Sequence, residues 1–264
     1  MTGLPSPLGF APTWDAPARV RALITTRAGG VSRGAYADAN GGGGLNLGAA
    51  TDDAPGDVAE NRRRLAAALP QPPRWMRLVH GNAVADAEAV DAMASTPTIV
   101  ADAATSMTPG VVCCVTMADC LPVLLASRRG DAVGVAHAGW RGLAGGVIQA
   151  TVRQLRRRLR DPGAEIVACL GPAIGPAHFE VGQEVFDAMQ QTLPDAAAAF
   201  ATGADGRLRA DLFVLARQAL AQVGVASVRG GGECTYANPW RYYSHRRDRV
   251  TGRHAALVWI DAPT

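Results

Sequence analysis

Apolar runs of strand length recur along the chain and alternate irregularly with helix-period stretches. Residues 20–26 form the first such run, and 74–79 another that ends at His80. The runs at 111–116, 122–126 and 132–136 are continuous and closely spaced, with Gly130-Asp131 between the last two. They predict buried strands, the last pair a hairpin. Residues 165–170 and 255–260 predict two more strands. Helical spacing marks 140–159, where Gly142, Gly145 and Gly146 open the pattern, and also 182–192 and 211–223. Asp57 is placed to cap a further helix to Leu69, which Pro70 and its neighbours terminate. Between the first strand and that helix, Arg27-Ala28-Gly29-Gly30 leads into a long glycine-rich loop through Gly48. A loop of that length in a compact domain is more often functional than idle. Residues 195–209 read as an excursion.

Strands and helices therefore mix without strict β-α alternation. That favours an α+β layered sandwich over a doubly wound sheet. Neither a repeat nor a linker divides the chain, so residues 1–264 are expected to form one domain, with 1–19 peripheral.

Composition narrows the function classes. The chain has 264 residues, 48% hydrophobic and 19% charged, which describes a globular protein able to bury a full core. Its formal charge of +3 is too small to argue for nucleic acid. Every basic side chain is Arg and none is Lys, a trace of GC-rich coding. The Arg156-Arg157-Arg158 run lies on a helical pattern and reads as a solvated face. Nothing approaches the roughly 18 apolar residues of a membrane span, and the start shows no basic-then-apolar leader. Five cysteines, an odd number, suit a reducing cytoplasm. Cys113, Cys114 and Cys169 sit in apolar strands and read as packing residues.

Three other residues suggest chemistry. His80, Cys120 and His137 each stand at an expected strand end, far apart in sequence. Three nitrogen and sulfur donors without a fourth make the pattern of a catalytic zinc site with an open position. Asp119 beside Cys120 could orient an imidazole from behind. Taken singly, each also fits a plainer role: a strand end, a packed thiol, a core histidine. The CxxC, HExxH and P-loop motifs are absent, as is the full zinc deaminase signature. Gly171-Pro172-Ala173-Ile174-Gly175-Pro176 reads as turn chemistry.

The blocks Thr25-Thr26-Arg27-Ala28-Gly29-Gly30-Val31-Ser32, Leu45-Asn46-Leu47-Gly48, Glu60-Asn61-Arg62-Arg63, Leu78-Val79-His80-Gly81, Ala118-Asp119-Cys120-Leu121-Pro122 and His137-Ala138-Gly139-Trp140-Arg141-Gly142 occur in this order. The Gly/Pro turn, Glu233-Cys234-Thr235-Tyr236 and Tyr243-Ser244-His245-Arg246-Arg247-Asp248 follow. This series resembles the YfiH/laccase-domain family from about residue 20 to 260. Four departures stand out: Leu78 for a common Gln, Ala177-His178 for a Cys pair, Ala237 for a second Cys, and extra glycines at 41–44.

The resemblance implies an α/β/β/α-layered fold related to toxin deamidase domains. It also implies phosphorolysis of adenosine, inosine and 5′-methylthioadenosine by phosphate, with adenosine deaminase activity in the same pocket. The implied metal ligands are His80, Cys120 and His137, holding Zn2+, with Cu2+ also able to bind in vitro. On this basis Arg27 and Arg141 would grip phosphate with help from Ser32. Asn46 would contact ribose or base, and Asp119 would handle a proton. The expected partners are small molecules alone, with no nucleic acid or membrane, and a monomer by default. Three alternatives stay open: a metal-independent hydrolase with Cys120 as nucleophile and His137 as base, acting on an amide or cell-wall precursor; a copper-dependent phenol oxidase, which five histidines hardly supply; and a zinc-stabilised binding module without turnover.

Overall fold

The computed structural model describes residues 8–94 and 97–262. The first half contains strands β1 (Gly9–Phe10), β2 (Val20–Thr25) and β3 (Ala28–Ser32), helix α1 (Pro55–Ala67), and strands β4 (Val84–Asp86), β5 (Ala103–Ser106), β6 (Cys113–Met117), β7 (Leu121–Ser127) and β8 (Val133–Ala138). The second half contains α2 (Trp140–Ala144), α3 (Val147–Leu159), β9 (Ile166–Leu170), α4 (Gln183–Thr192), β10 (Phe200–Thr202), β11 (Leu208–Ala210), α5 (Leu212–Gln222), β12 (Ser227–Gly230), α6 (His245–Asp248) and β13 (His254–Ile260).

Two sheets stack between helices. One has the order β1-β2-β13-β6 and is antiparallel throughout. The other has the order β12-β9-β7-β8-β5-β4, with parallel pairs at its two edges. Side chains alternate across each strand, and both faces find apolar partners. Leu124 and Ala126 of β7 meet Ile24, Ala256 and Val258 between the sheets. Leu121, Val123 and Leu125 of the same strand face Val152, Leu155 and Leu215 of the outer helices. On the far side, Leu65 of α1 covers Leu23 and Leu257. Burial on both faces explains why the strands read as continuous apolar runs instead of alternating. The architecture is the α+β sandwich with layers in the order α/β/β/α.

Several local expectations shift. The stretch 140–159 is two helices, because Gly146 adopts φ 80° and breaks the ladder between α2 and α3. Helix α1 starts at Pro55, which suits a first helical position, so Asp57 lies in the first turn and does not cap. Asp211 does cap α5, accepting from the N–H groups of Phe213 and Val214. Residues 74–79 make only isolated bridges, at Arg74 and Arg77. Part of the glycine-rich loop is strand β3, bridged to Gly44. The excursion at 195–209 holds a 3-10 turn and the β10–β11 hairpin. Residues 8–19 are not peripheral: β1 pairs with β2, and Leu8, Phe10 and Trp14 pack onto the core. The rest of that stretch, 1–7, lies outside the described residues. No described helix is long and apolar enough to cross a membrane.

Candidate metal centre

The register of three neighbouring strands assembles the centre. In the β7–β8 pair Leu121 faces Ala138, and in the β5–β8 pair Ala103 faces Ala136. Asp102, one residue before β5, thereby reaches His137, whose N–H donates to the Asp102 carbonyl at 2.7 Å. Cys120, one residue before β7, arrives on the other side. His80 comes from the loop ahead of β4. The three ligand atoms lie within 4.8 Å of one another, and they form a single such group among the described residues.

Asp102 organises this arrangement. It is fully buried, and one oxygen lies 2.9 Å from His137 Nδ1. Its two oxygens also accept the backbone N–H groups of Val79, His80 and Gly81 at 2.8–3.0 Å. One carboxylate thus orients the His137 ring, leaving Nε2 for the centre, and pins the segment carrying His80. His80 itself adopts φ 60° and Asp119 φ 92°, conformations that cost energy for non-glycine residues. Three backbone hydrogen bonds to Asp102 hold the first. Thr235 Oγ1, at 2.6 Å, and the Arg246 N–H, at 2.7 Å, hold the second through the Asp119 carboxylate.

The electrostatics are those of a coupled pair. Burial opposes ionisation of Cys120, but His137 and His80 outweigh it and pull the thiol down to about 6. Burial likewise opposes a charged His137, but Cys120 and Asp102 raise it to about 9. Burial also works against the Asp102 carboxylate; His137 and the Gly81 and Val79 N–H groups hold it below its usual range.

This donor set fits zinc. Cys120 Sγ lies 3.7 Å from His80 Nε2, and a tetrahedral ion with ordinary bond lengths separates sulfur from nitrogen by about 3.6 Å. The three donor residues line a cleft of about 580 Å³. Met76, Leu78, Pro97 and Met117 supply apolar wall, while Arg62, Arg77, Arg253 and His245 supply polar wall.

The other expected site residues fare differently. Asp119 does not orient an imidazole; Asp102 does, and both Asp119 oxygens are engaged in joining the β6–β7 turn to 235–246. Arg27 donates to the carbonyls of Ala37 and Pro239 and lies over the Tyr243 ring, away from the cleft. Ser32 is buried, donating to Asp53 at 2.6 Å and accepting from Asn61. It sits in Gly30-Val31-Ser32-Arg33-Gly34, which matches the spacing of a serine hydrolase elbow, but these partners occupy its hydroxyl. Arg141 is exposed and lies over Trp140, outside the cleft lining. Asn46 is buried and works behind the wall: its side-chain Oδ1 accepts the Gly48 and Arg253 N–H groups. Sequence reasoning missed Asp102, although a lone carboxylate in the apolar run Ile99-Val100-Ala101-Asp102-Ala103 was a signal, since buried Asp is rare unless paired.

Comparison with known proteins adds to this geometry. Residues 21–261 match the family model described as multi-copper polyphenol oxidoreductase laccase. A Pseudomonas aeruginosa protein named purine nucleoside phosphorylase is 48% identical over 252 residues, covering 95% of this chain and 98% of its own. The Escherichia coli purine nucleoside phosphorylase YfiH is 47% identical, covering 95% and 98%. A crystal structure of a Neisseria meningitidis protein superposes with a TM-score of 0.87 at 44% identity, covering 96% of this chain and 99% of that one.

Proposed function

The chain belongs to the YfiH family, whose description is multi-copper polyphenol oxidoreductase laccase, and on that footing we propose that it is a zinc-dependent purine nucleoside phosphorylase. Its substrates are adenosine, inosine and 5′-methylthioadenosine, with an adenosine deaminase side activity. The names of the relatives support the reaction class. The observation that carries the proposal is the His80–Cys120–His137 centre, open on one side to a cleft of nucleoside size.

When bound, zinc supplies a Lewis acid that polarises a substrate oxygen. The chain supplies position. Asp102 fixes the His137 ring and the His80 backbone, so the donor atoms are held before substrate arrives. The apolar wall of Met76, Leu78 and Met117 accepts the flat base and excludes water from one side of it.

Metal-free and zinc-reconstituted protein given adenosine and phosphate, with products separated by chromatography, tests this. Adenine with ribose 1-phosphate appearing only with zinc is the expected result, and inosine or hypoxanthine would add the deaminase branch. Absence of any purine product from both samples would falsify the nucleoside assignment.

A second reading has one observation in its favour. Asp102, His137 and Cys120 form an acid-imidazole-thiol series, with His137 Nδ1 2.9 Å from Asp102. That arrangement suits a hydrolase acting on an amide, in which metal inhibits. Zinc would then abolish turnover and alkylation of Cys120 would mimic it. Copper oxidation of phenols has less support, since the described residues offer one ligand group and multicopper chemistry needs several.

A further inference from the structure

Arg62, Arg77 and Arg253 line the cleft beside the centre, together with His245 and the two ligand imidazoles, and no described carboxylate does. Such a wall focuses potential on an anion. Two of these guanidinium groups are largely buried, and both are held by neutral carbonyl oxygens. Arg253 Nη1 donates to the Thr251 and Gly252 carbonyls at 2.8 and 3.1 Å, which leaves its Nε and Nη2 without a hydrogen-bond partner among the described residues. Arg62 donates Nε and Nη2 to the Leu47 carbonyl while its plane lies over Trp75. Neither forms an ion pair with a described carboxylate. Burial pushes both below their ordinary pKa, and at Arg253 it outweighs the attraction of the nearby Cys120 and Asp119. Arg27 is carbonyl-held in the same way but lies away from the cleft.

Both side chains are built around one strip of backbone, Leu45-Asn46-Leu47-Gly48. The Leu47 N–H donates to the Arg253 carbonyl at 2.9 Å, and Asn46 Oδ1 accepts the Arg253 N–H at 2.8 Å. A Cβ at Gly48 would stand 2.7 Å from Arg253 Cγ, so only glycine lets the arginine stem cross the strip. Placing an unpaired cation in a partly buried position is unfavourable unless a ligand supplies the missing charge. Arg77, exposed and without a side-chain partner among the described residues, adds a third charge at the rim.

We propose that Arg253 and Arg62, positioned by Asn46 and Gly48 and aided by Arg77, form the subsite for the tetrahedral oxyanion that this cleft receives, inorganic phosphate. The assignment rests on the phosphorylase reading for the role of that anion, and on the arginine geometry for its place. In the reaction, a phosphate oxygen forms the bond to C1′ of the ribose. The C1′–N9 bond breaks with its electron pair going to the purine, which takes up the proton that hydrogen phosphate carried. Guanidinium groups suit this task because they hold phosphate through paired N–H donors without accepting its proton.

Calorimetric titration of inorganic phosphate into zinc-loaded and chelator-treated protein tests the subsite, with Arg253→Gln, Arg62→Gln and Arg77→Gln in parallel. We expect phosphate affinity to fall by about tenfold or more in Arg253→Gln, with zinc affinity unchanged. In the turnover assay the KM for phosphate should rise while that for adenosine stays constant. If Arg253→Gln fails to fold, the rim variant Arg77→Gln and the salt dependence of wild-type binding decide. Wild-type affinity for phosphate that is insensitive to salt and to Arg77→Gln overturns the subsite. So does wild-type-like phosphate binding by a folded Arg253→Gln. Adenosine 5′-monophosphate serves as the other source of the same chemistry: binding of the nucleotide but not of free phosphate overturns the co-substrate assignment. Phosphate binding lost in Arg253→Gln, with no phosphorolysis by the wild type, would sustain the subsite and sink the phosphorylase reading alone.

Discussion

A Cβ added at Gly139 would stand 2.8 Å from His80 Cδ2 and 2.9 Å from Cys120 Sγ. The glycine's own backbone conformation is ordinary, φ −65°, so Gly139→Ala acts through space and not through strain. At least one ligand must move. We expect zinc affinity to drop by about 10–100-fold with thermal stability of the chelated protein little changed; a competition titration against a coloured chelator measures it. Unaltered affinity would show that the ligands can step aside. The grouping of His80, Cys120 and His137 was legible at this scale because nitrogen and sulfur donors at strand ends are rare. Asp102 was not, because its task depends on a neighbour brought beside it by strand pairing. Arg27, Ser32 and Asn46 are of types that suit an anion or a sugar, but in the fold neighbouring backbone groups and side chains hydrogen-bond with them.

Between residues and the whole molecule, the break at Gly145-Gly146 and the register of β5, β8 and β7 matter most. Gly146 opens α3 at φ 80°, and its nearest contact for a Cβ is the flexible end of Gln149 at 3.6 Å. Gly146→Ala should therefore cost only the left-handed backbone penalty, about 1–2 kcal/mol, read as a lower urea midpoint at constant m-value. A much larger loss would mean that α2 and α3 are displaced from the sheet. The apolar runs located β2, β6 to β9 and β13 within a residue or two. Among the strands they missed are β5, whose Ala103-Ala104-Thr105-Ser106 lacks bulky residues, and β12, a half-exposed edge ending at Gly230. Strand propensity reports packing on a pleated surface, and small or edge residues carry little of that signal.

For the molecule as a whole, both sheets share one core through Leu124, Val133, Ala256 and Val258, so neither can lose its structure alone. Zinc held at the centre as proposed would couple to the entire fold, because an ion held only by the native state stabilises it by mass action. Calorimetric scanning should show one transition that zinc shifts upward. The coupled pair sets the pH dependence. His137 is raised to about 9 and Cys120 lowered to about 6, so between those values the pair is imidazolium and thiolate. A metal takes the thiolate as it stands but must displace the His137 proton. Zinc binding between pH 7 and 9 should release about one proton, and affinity should climb about tenfold per pH unit there. Below about 6 the thiol also holds its proton, so the release increases and affinity falls more steeply as pH drops. Titrations in buffers of different ionisation enthalpy count the protons; a release of zero at pH 7.5 contradicts the pairing.

The order of apolar runs was enough to specify buried strands in layers, since a strand apolar on both faces must be covered on both. The chemistry of His80, Cys120 and His137 was likewise written in residue types that bind metal. The tertiary structure alone decided which carboxylate serves them and which arginines face the cleft. Asp102 and Arg253 acquire their roles from groups far away in sequence: strand register sets His137 against the first, and the pairing of Leu47 with Arg253 turns the second toward the centre. A side chain's type limits which interactions it can make. Which neighbours have already satisfied it depends on packing that no local stretch of sequence contains.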